Sequence, residues 1–324
     1  MWAYFATNPR VAVSRLFTDA HEPMPRAPRL LGFSFSWELD YTNVMGLLEQ
    51  QNIPVRASER TDEHPLVFGG GPVLTANPEP YAEFFDVVLL GDGEQLLSDF
   101  TEAVIAAAGA GDARPPRREL LKALAQVPGV YVPSLYNVSY ASPDGDVCGV
   151  EPAEEGVPAR VTKQTYLGGT LATSMVVSSQ MAWENIFMVE VVRSCPEMCR
   201  FCLASYLTLP FRTAPVDGAL IPAIRNGLKH TDRIGLLGAS VTQHPEFDKL
   251  LEFMSTEEMK DVRMGIASVR TGTVTLELTQ ALVARGTKSL TVAVESGSER
   301  LRGIVNKKLT QEEIITAVVN AQVG

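Results

Sequence analysis

Residues 190–202 read Glu190-Val-Val-Arg193-Ser-Cys195-Pro-Glu-Met-Cys199-Arg-Phe-Cys202. Three cysteines fall within eight positions, with gaps of three and two residues, and the apolar run over 186–192 leading into them reads as a β-strand. A loop of that spacing after a strand can fold three thiolates around one face of a metal centre. Iron–sulfur clusters are held by thiolates, usually four, so three local cysteines leave one iron without a protein ligand and open to a small molecule. Structural zinc sites are closed by four ligands, often in two close pairs. The candidates for a fourth ligand are Cys148, His230 and His244, and none has paired spacing. A ferredoxin-like electron-transfer site also asks for a fourth cysteine. Cys195, Cys199 and Cys202 are therefore the candidate metal ligands, with a zinc site or a closed cluster as the alternatives.

Downstream, strand patterns recur at 234–237, 262–268 and 289–295. Helical patterns lie between and after them, at 216–227, 247–254, 276–284 and 310–323. Four strand–helix units amount to half of a (β/α) barrel, and the sequence stops where another strand is expected.

Upstream, residues 30–108 also alternate. Strands are expected at 30–36, 66–68 and 86–90, the second stopped by Gly69 to Gly71. Helices are expected at 41–51, at 78–85 behind an Asn77 cap, and at 94–108, where Leu96, Leu97, Phe100, Val104 and Ile105 form one stripe. This alternation implies a doubly wound, Rossmann- or flavodoxin-like α/β domain. Residues 109–118 read as a boundary. Residues 129–140 and 147–150 pair around Asp144-Gly145, a hairpin turn signal, and Cys148 on the returning strand reads as a packing cysteine. The expected organisation is an N-terminal α/β domain over 1–112, a linker with a β-hairpin over 113–184, and a partial barrel over 185–324.

The bulk composition narrows the class. The 324 residues are 45% hydrophobic and 20% charged, a globular balance that excludes disorder as a description of the whole. A formal charge of −10 argues against a broad nucleic-acid surface. No apolar run approaches the ~20 residues needed to span a bilayer, and the first ten residues carry no apolar signal core. Four cysteines are too few for a secreted disulfide framework and suit a reducing compartment, so a cytoplasmic protein without membrane or nucleic-acid partners is expected.

The C-x3-C-x2-C loop after the first strand of a partial barrel resembles the radical S-adenosylmethionine superfamily. Glu190-Val-Val-Arg193-Ser-Cys195 is similar to the E-x-x-R-G-C approach of its subfamilies, with Ser194 in place of the usual glycine. The resemblance implies a 4Fe–4S cluster on the three cysteines and S-adenosylmethionine on its open iron. Reductive cleavage would then yield a 5′-deoxyadenosyl radical acting on an unspecified substrate, with ferredoxin or flavodoxin as electron donor. It also implies Phe201 beside the adenine and Gly238, Ala239 and Ser240 near the methionine amino group. Ser268 and Arg270 would meet the ribose and carboxylate, and Glu295 and Ser296 the cofactor at the fourth strand end. Arg193 or Arg270 is the candidate to steady the cofactor carboxylate. The remaining alternatives are a non-catalytic iron–sulfur or zinc-binding module and an inactive fragment of such an enzyme.

The set Gly32 to Asn43, Phe68-Gly-Gly-Gly-Pro72, Asn77-Pro-Glu-Pro80 and Gly91-Asp-Gly-Glu94 resembles the N-terminal region of radical enzymes related to the cobalamin-binding branch. The Asp-x-His-x-x-Gly motif that gives cobalt a histidine is absent, and His21 and His64 sit in loop-like segments. Cobalamin is thus not expected on a histidine ligand; binding without one, or a domain that only holds substrate, are the alternatives.

Overall fold

In the computed structural model, which describes residues 10–13, 28–108, 115–267 and 269–324, the apolar run β2 (Leu66–Gly70) is buried along its whole length. It lies between β1 (Leu30–Ser34) and β3 (Val87–Leu89), parallel to both, and β4 (Val130–Tyr131) adds antiparallel to β3. Successive strand residues point to opposite faces, and here both faces are apolar. Leu66, Phe68, Val87 and Leu89 pack with Leu96, Leu97 and Phe100 of α3 (Gly93–Ala108) and Leu121 and Leu124 of α4 (Arg117–Leu124). Leu31, Val67 and Val88 pack with Val44 and Leu48 of α1 (Tyr41–Gln50) and Val73 and Leu74 of α2 (Pro72–Ala76).

The order β1-β2-β3-β4 runs one way across the sheet. Helices cover both faces, yet among the described residues the order never reverses, so the doubly wound arrangement is replaced by a singly progressing sheet. Gly69 and Gly70 belong to β2 rather than ending it, pairing with Phe33 and Ser34 of β1, and a side chain at Gly69 would run into Leu74 and Phe85. The helix expected over 78–85 is a 3-10 turn, Glu79–Phe84, with Asn77 Oδ1 accepting from the Glu79 amide at 3.2 Å.

The boundary stretch 109–118 lies outside the described residues through 114, but its end opens α4. Arg117 is held there because its guanidinium donates to Asp86 Oδ2 at 2.6 Å. Arg60 donates to the same oxygen at 3.0 Å, the Val67 amide also donates to it at 2.7 Å, and the Asp86 side chain is 2% exposed. The hairpin forms from β5 (Tyr136–Tyr140) and β6 (Val147–Pro152), but the first strand expected over 129–140 is split, its start going to β4 instead. Cys148, read as packing, is exposed on it, its Sγ 3.6 Å from Ser139 Oγ, because this two-stranded ladder has no core side at that position.

The chain divides at Tyr166/Leu167, inside the 113–184 stretch read as a linker. The preceding residues join the first unit: Val157 and Val161 pack against its two cores, and Gln164 exchanges backbone hydrogen bonds with Leu90 and Asp92.

The second unit is a parallel sheet in the order β7 (Phe187–Glu190), β10 (Arg233–Leu237), β11 (Arg263–Ile266). A π-helical turn (Val216–Leu220) runs into α6 (Ile221–Gly227), followed by α7 (Phe247–Met254) and α8 (Leu276–Ala284). Their apolar faces make one core around Val189, Ile234, Leu236, Leu250 and Leu278. α9 (Glu299–Ile304), unforeseen in the sequence, precedes α10 (Gln311–Val323), which starts at a Thr310/Glu313 capping box. Residues 289–295, expected as a fourth strand, form no ladder. The Met264 amide donates to Arg285 O and Thr287 Oγ1 to Met264 O, after which the segment leans Leu290 and Val292 on the core without strand pairing. The fold is mixed α/β with parallel sheets and no barrel closure. No helix among the described residues is long and apolar enough to cross a membrane.

Asp86 tests the first unit. Asp86→Ala leaves two guanidinium groups facing one another in its interior, and breaking a buried pair from one side costs about 3–5 kcal/mol. Chemical denaturation followed by circular dichroism should show that loss; a change below about 1 kcal/mol would show the network to be incidental.

Candidate metal centre

The cysteine loop leaves the carboxyl end of β7, the end at which parallel α/β folds place their sites. Its base is closed by a two-residue antiparallel ladder, β8 (Val192–Arg193) against β9 (Arg212–Thr213). Between them Cys199 is buried, Cys195 and Cys202 are half-buried, and the Cys202 amide donates to Cys199 O at 3.0 Å. α5 (Leu203–Leu207) starts immediately after Cys202, and Ser205 Oγ lies 3.5 Å from Cys202 Sγ. Burial pushes the Cys199 thiol up; the nearby Lys307 ammonium opposes this, while Cys195, Cys202 and Glu197 add to it.

Among the described residues no three His, Cys, Asp or Glu side chains stand together as a site for one metal ion. A cubane cluster asks for something different, since each thiolate binds a different iron and the sulfurs belong apart. Cys199, buried in the middle of the loop, has both Cys195 and Cys202 within electrostatic reach, and thiol donors on such a loop fit that set.

Two backbone features explain the local sequence. Ser194 has φ 71°, the left-handed region that favours glycine, and its hydroxyl donates to Ser205 O at 2.9 Å. The serine stands where the resembled pattern has glycine, and it spends its side chain on tying the loop's start to α5. Gly238, at φ 154°, ends β10 so close to Val192 that a Cβ would lie 2.7 Å from the Val192 carbonyl oxygen.

The remaining expected residues fall in several places. Phe201 is 53% exposed. Ala239 is exposed, whereas Ser240 is buried with its hydroxyl given to Gln243 Oε1 at 2.5 Å. Arg270 pairs with Glu197 Oε2 at 2.8 Å, and its amide donates to Thr242 Oγ1. Glu295 sits at φ 66° with Oε1 3.0 Å from Lys307 Nζ, and Ser296 Oγ accepts from the Ser298 amide. Ser268 lies outside the described residues, as does His21. Arg193, offered as a clamp for a ligand carboxylate, already grips Glu190 through two bonds of 2.7 Å, a fork of charge-assisted bonds across the short break between β7 and β8.

Glu197, between the first two cysteines, was not among the expected site residues. It accepts from Gln243 Nε2 at 2.6 Å and from Arg270, joining the loop to the segments after β10 and β11. Nothing in local spacing marks it, since its partners lie 46 and 73 positions away.

Comparison with known proteins places this geometry. The family model described as "Radical SAM proteins, N-terminal" matches residues 8–133, and that of the radical SAM superfamily matches residues 189–322. An uncharacterized protein of Methanocaldococcus jannaschii is 26% identical over 287 residues, covering 88% of this chain and 53% of its own length. The chain thus spans about half the length of the curated relative it matches. The radical S-adenosylmethionine methyltransferase TsrM of Kitasatospora setae, solved with cobalamin and a 4Fe–4S cluster, superposes with a TM-score of 0.58 at 12% identity, over 92% of this chain and 55% of that one. The cobalamin-dependent radical enzyme OxsB, solved with aqua-cobalamin and S-adenosylmethionine, gives 0.52 at 16% identity, over 91% and 39%. At such identities these structures show a shared fold. The chain is a relative of the radical S-adenosylmethionine superfamily, and its first unit resembles that superfamily's N-terminal region.

Ser194 supplies a test of the loop's backbone. Ser194→Gly trades one hydrogen bond for an unstrained φ and should hold stability within about 1 kcal/mol of wild type. Ser194→Val, β-branched at positive φ, should lose about 1–3 kcal/mol. Thermal melts of both variants check it, and equal melting would refute the strained-position reading.

Proposed function

We propose that the chain belongs to a radical S-adenosylmethionine enzyme in which Cys195, Cys199 and Cys202 hold a 4Fe–4S cluster with one iron open to S-adenosylmethionine. The observation that carries this reading is the C-x3-C-x2-C loop at the carboxyl end of β7, inside the region matched to the superfamily. When bound, the cluster and S-adenosylmethionine supply a 5′-deoxyadenosyl radical able to take a hydrogen atom from a substrate carbon.

The chain's own residues hold and orient. Cys199 is the buried ligand, flanked by two thiols nearer solvent. Phe201 offers an exposed ring to an adenine, and the close approach of Gly238 to Val192 sets the backbone of Gly238 and Ala239 at the carboxyl end of β10 beside the loop. Ser240 is spent on Gln243, so its hydroxyl is a poor candidate for direct cofactor contact. Arg193 and Arg270 each hold a carboxylate of this chain. Either would have to release it to meet one from the cofactor, and their primary work is on the loop itself. Glu295 and Ser296 remain the polar groups beyond residues 289–294 that a cofactor would meet. A ferredoxin or flavodoxin would deliver the electron, and a reducing cytoplasm suits the unpaired thiols.

A second reading adds cobalamin to the first unit, favoured by its likeness to two proteins solved with cobalamin. Among the described residues of that unit the one histidine is His64, two positions before β2, at the opposite end of the sheet from the strand ends where such folds take ligands. A histidine-ligated cobalt does not fit there, so cobalamin would have to bind through the corrin and its side chains.

Anaerobic reconstitution should load about four irons per chain, and reduction with S-adenosylmethionine should release 5′-deoxyadenosine. Replacing all three cysteines by alanine should abolish both, while Cys148→Ala changes neither. Wild-type iron and sulfide no higher than in the triple variant would refute the reading, and a full cluster without 5′-deoxyadenosine would leave a non-catalytic cluster module.

A further inference from the structure

The cluster loop has a second set of ties, to a segment about a hundred residues downstream. α9 ends at Ile304, and the turn after it places Asn306 at φ 55°. From that position the Asn306 side-chain amide donates to two successive carbonyls of the loop, Glu197 O at 3.2 Å and Met198 O at 2.7 Å. The loop answers in kind: the Arg200 amide donates to Val305 O at 3.0 Å, and its guanidinium to Ile304 O at 2.5 Å. Next along, Lys308 O accepts from the Arg270 guanidinium, which also pairs with Glu197. Lys307 meets Glu295. Arg302, fully buried within α9, donates to Ser296 O and Leu309 O and so anchors both flanks of the segment.

We infer that Asn306 is a positioning residue for the cluster loop, its amide setting the peptide planes on either side of Met198 so that Cys195 and Cys199 face one centre. Met198 itself sits at φ 53°, a conformation a non-glycine residue holds only when its surroundings over-determine it. Asn306 meets both requirements of its place: asparagine tolerates the left-handed region, and its amide carries two donors on one nitrogen. Serine or glycine would satisfy at most one of them. The inference rests on the reading that the loop carries a cluster, and extends it to a residue that touches no cysteine.

The test uses the full-length chain. Asn306→Gly keeps the left-handed turn and removes the amide; Asn306→Asp keeps the shape and replaces both donors with oxygen. Amide hydrogen exchange of the metal-free chain, read on peptides covering 195–202 with peptides covering β10 as internal reference, should rise about ten-fold in both variants at the loop alone. Reconstituted variants should also lose iron to a chelator about ten-fold faster. Loop exchange equal to wild type, or a rise shared equally by β10, would overturn the inference, the latter because it reports general loosening. Failure of the parent reading looks different: wild-type chain would take up no iron above the triple cysteine variant, whatever the exchange shows.

Discussion

The eight residues from Cys195 to Cys202, proposed above to hold a cluster, have no ladder or helix of their own, so their shape comes from what grips them. In this chain the grip is ionic and carbonyl-directed. Glu197 takes the Arg270 guanidinium and the Gln243 amide, while β8 and β9 pinch the loop's base. β10 and β11 each run into a segment holding one of these partners, and β7 runs into the loop itself, so the parallel sheet works as a frame that brings distant residues to the loop.

This dependence explains what could be read from the sequence. The cysteines, the strand before them and the strand–helix rhythm over 234–284 were legible because each is a local pattern of spacing or period. The apolar stripe of α3 and the Asp-Gly turn of the hairpin belong to the same class. Glu197, Gln243 and Asn306 were not legible, because a polar residue outside long helices and strands looks alike whether it faces water or a partner many positions away. The fourth strand failed for a related reason. Residues 289–295 have a strand's alternation, but a ladder also needs a neighbour's backbone in register, and beyond Thr287 the segment departs from β11.

In the first unit the sequence signalled alternation correctly and topology incorrectly. Period reveals which segments are strands; it carries no record of their left-to-right order, which follows from where each helix packs. α4 was hidden by its charge. Arg117, Arg118, Glu119 and Lys122 make the stretch read as solvent-facing linker, although Leu121 and Leu124 close the core and Arg117 turns inward to Asp86.

The Asp86 contact has a consequence for how the sheet finds its alignment. In a strand with one wet face, slipping by a single residue drives polar groups into the core, and the alternation itself forbids the error. β2 and β3 are apolar on both faces, so a slipped pairing would bury hydrophobic side chains nearly as well as the native one. Asp86 breaks that degeneracy. Its backbone amide donates to Val67 O at 2.9 Å while its carboxylate accepts from the Val67 amide, and both arginines converge on the same oxygen. In any other alignment the carboxylate would be carried away from the charges that neutralise it. One buried anion thus acts as the index mark by which two featureless strands are set against each other.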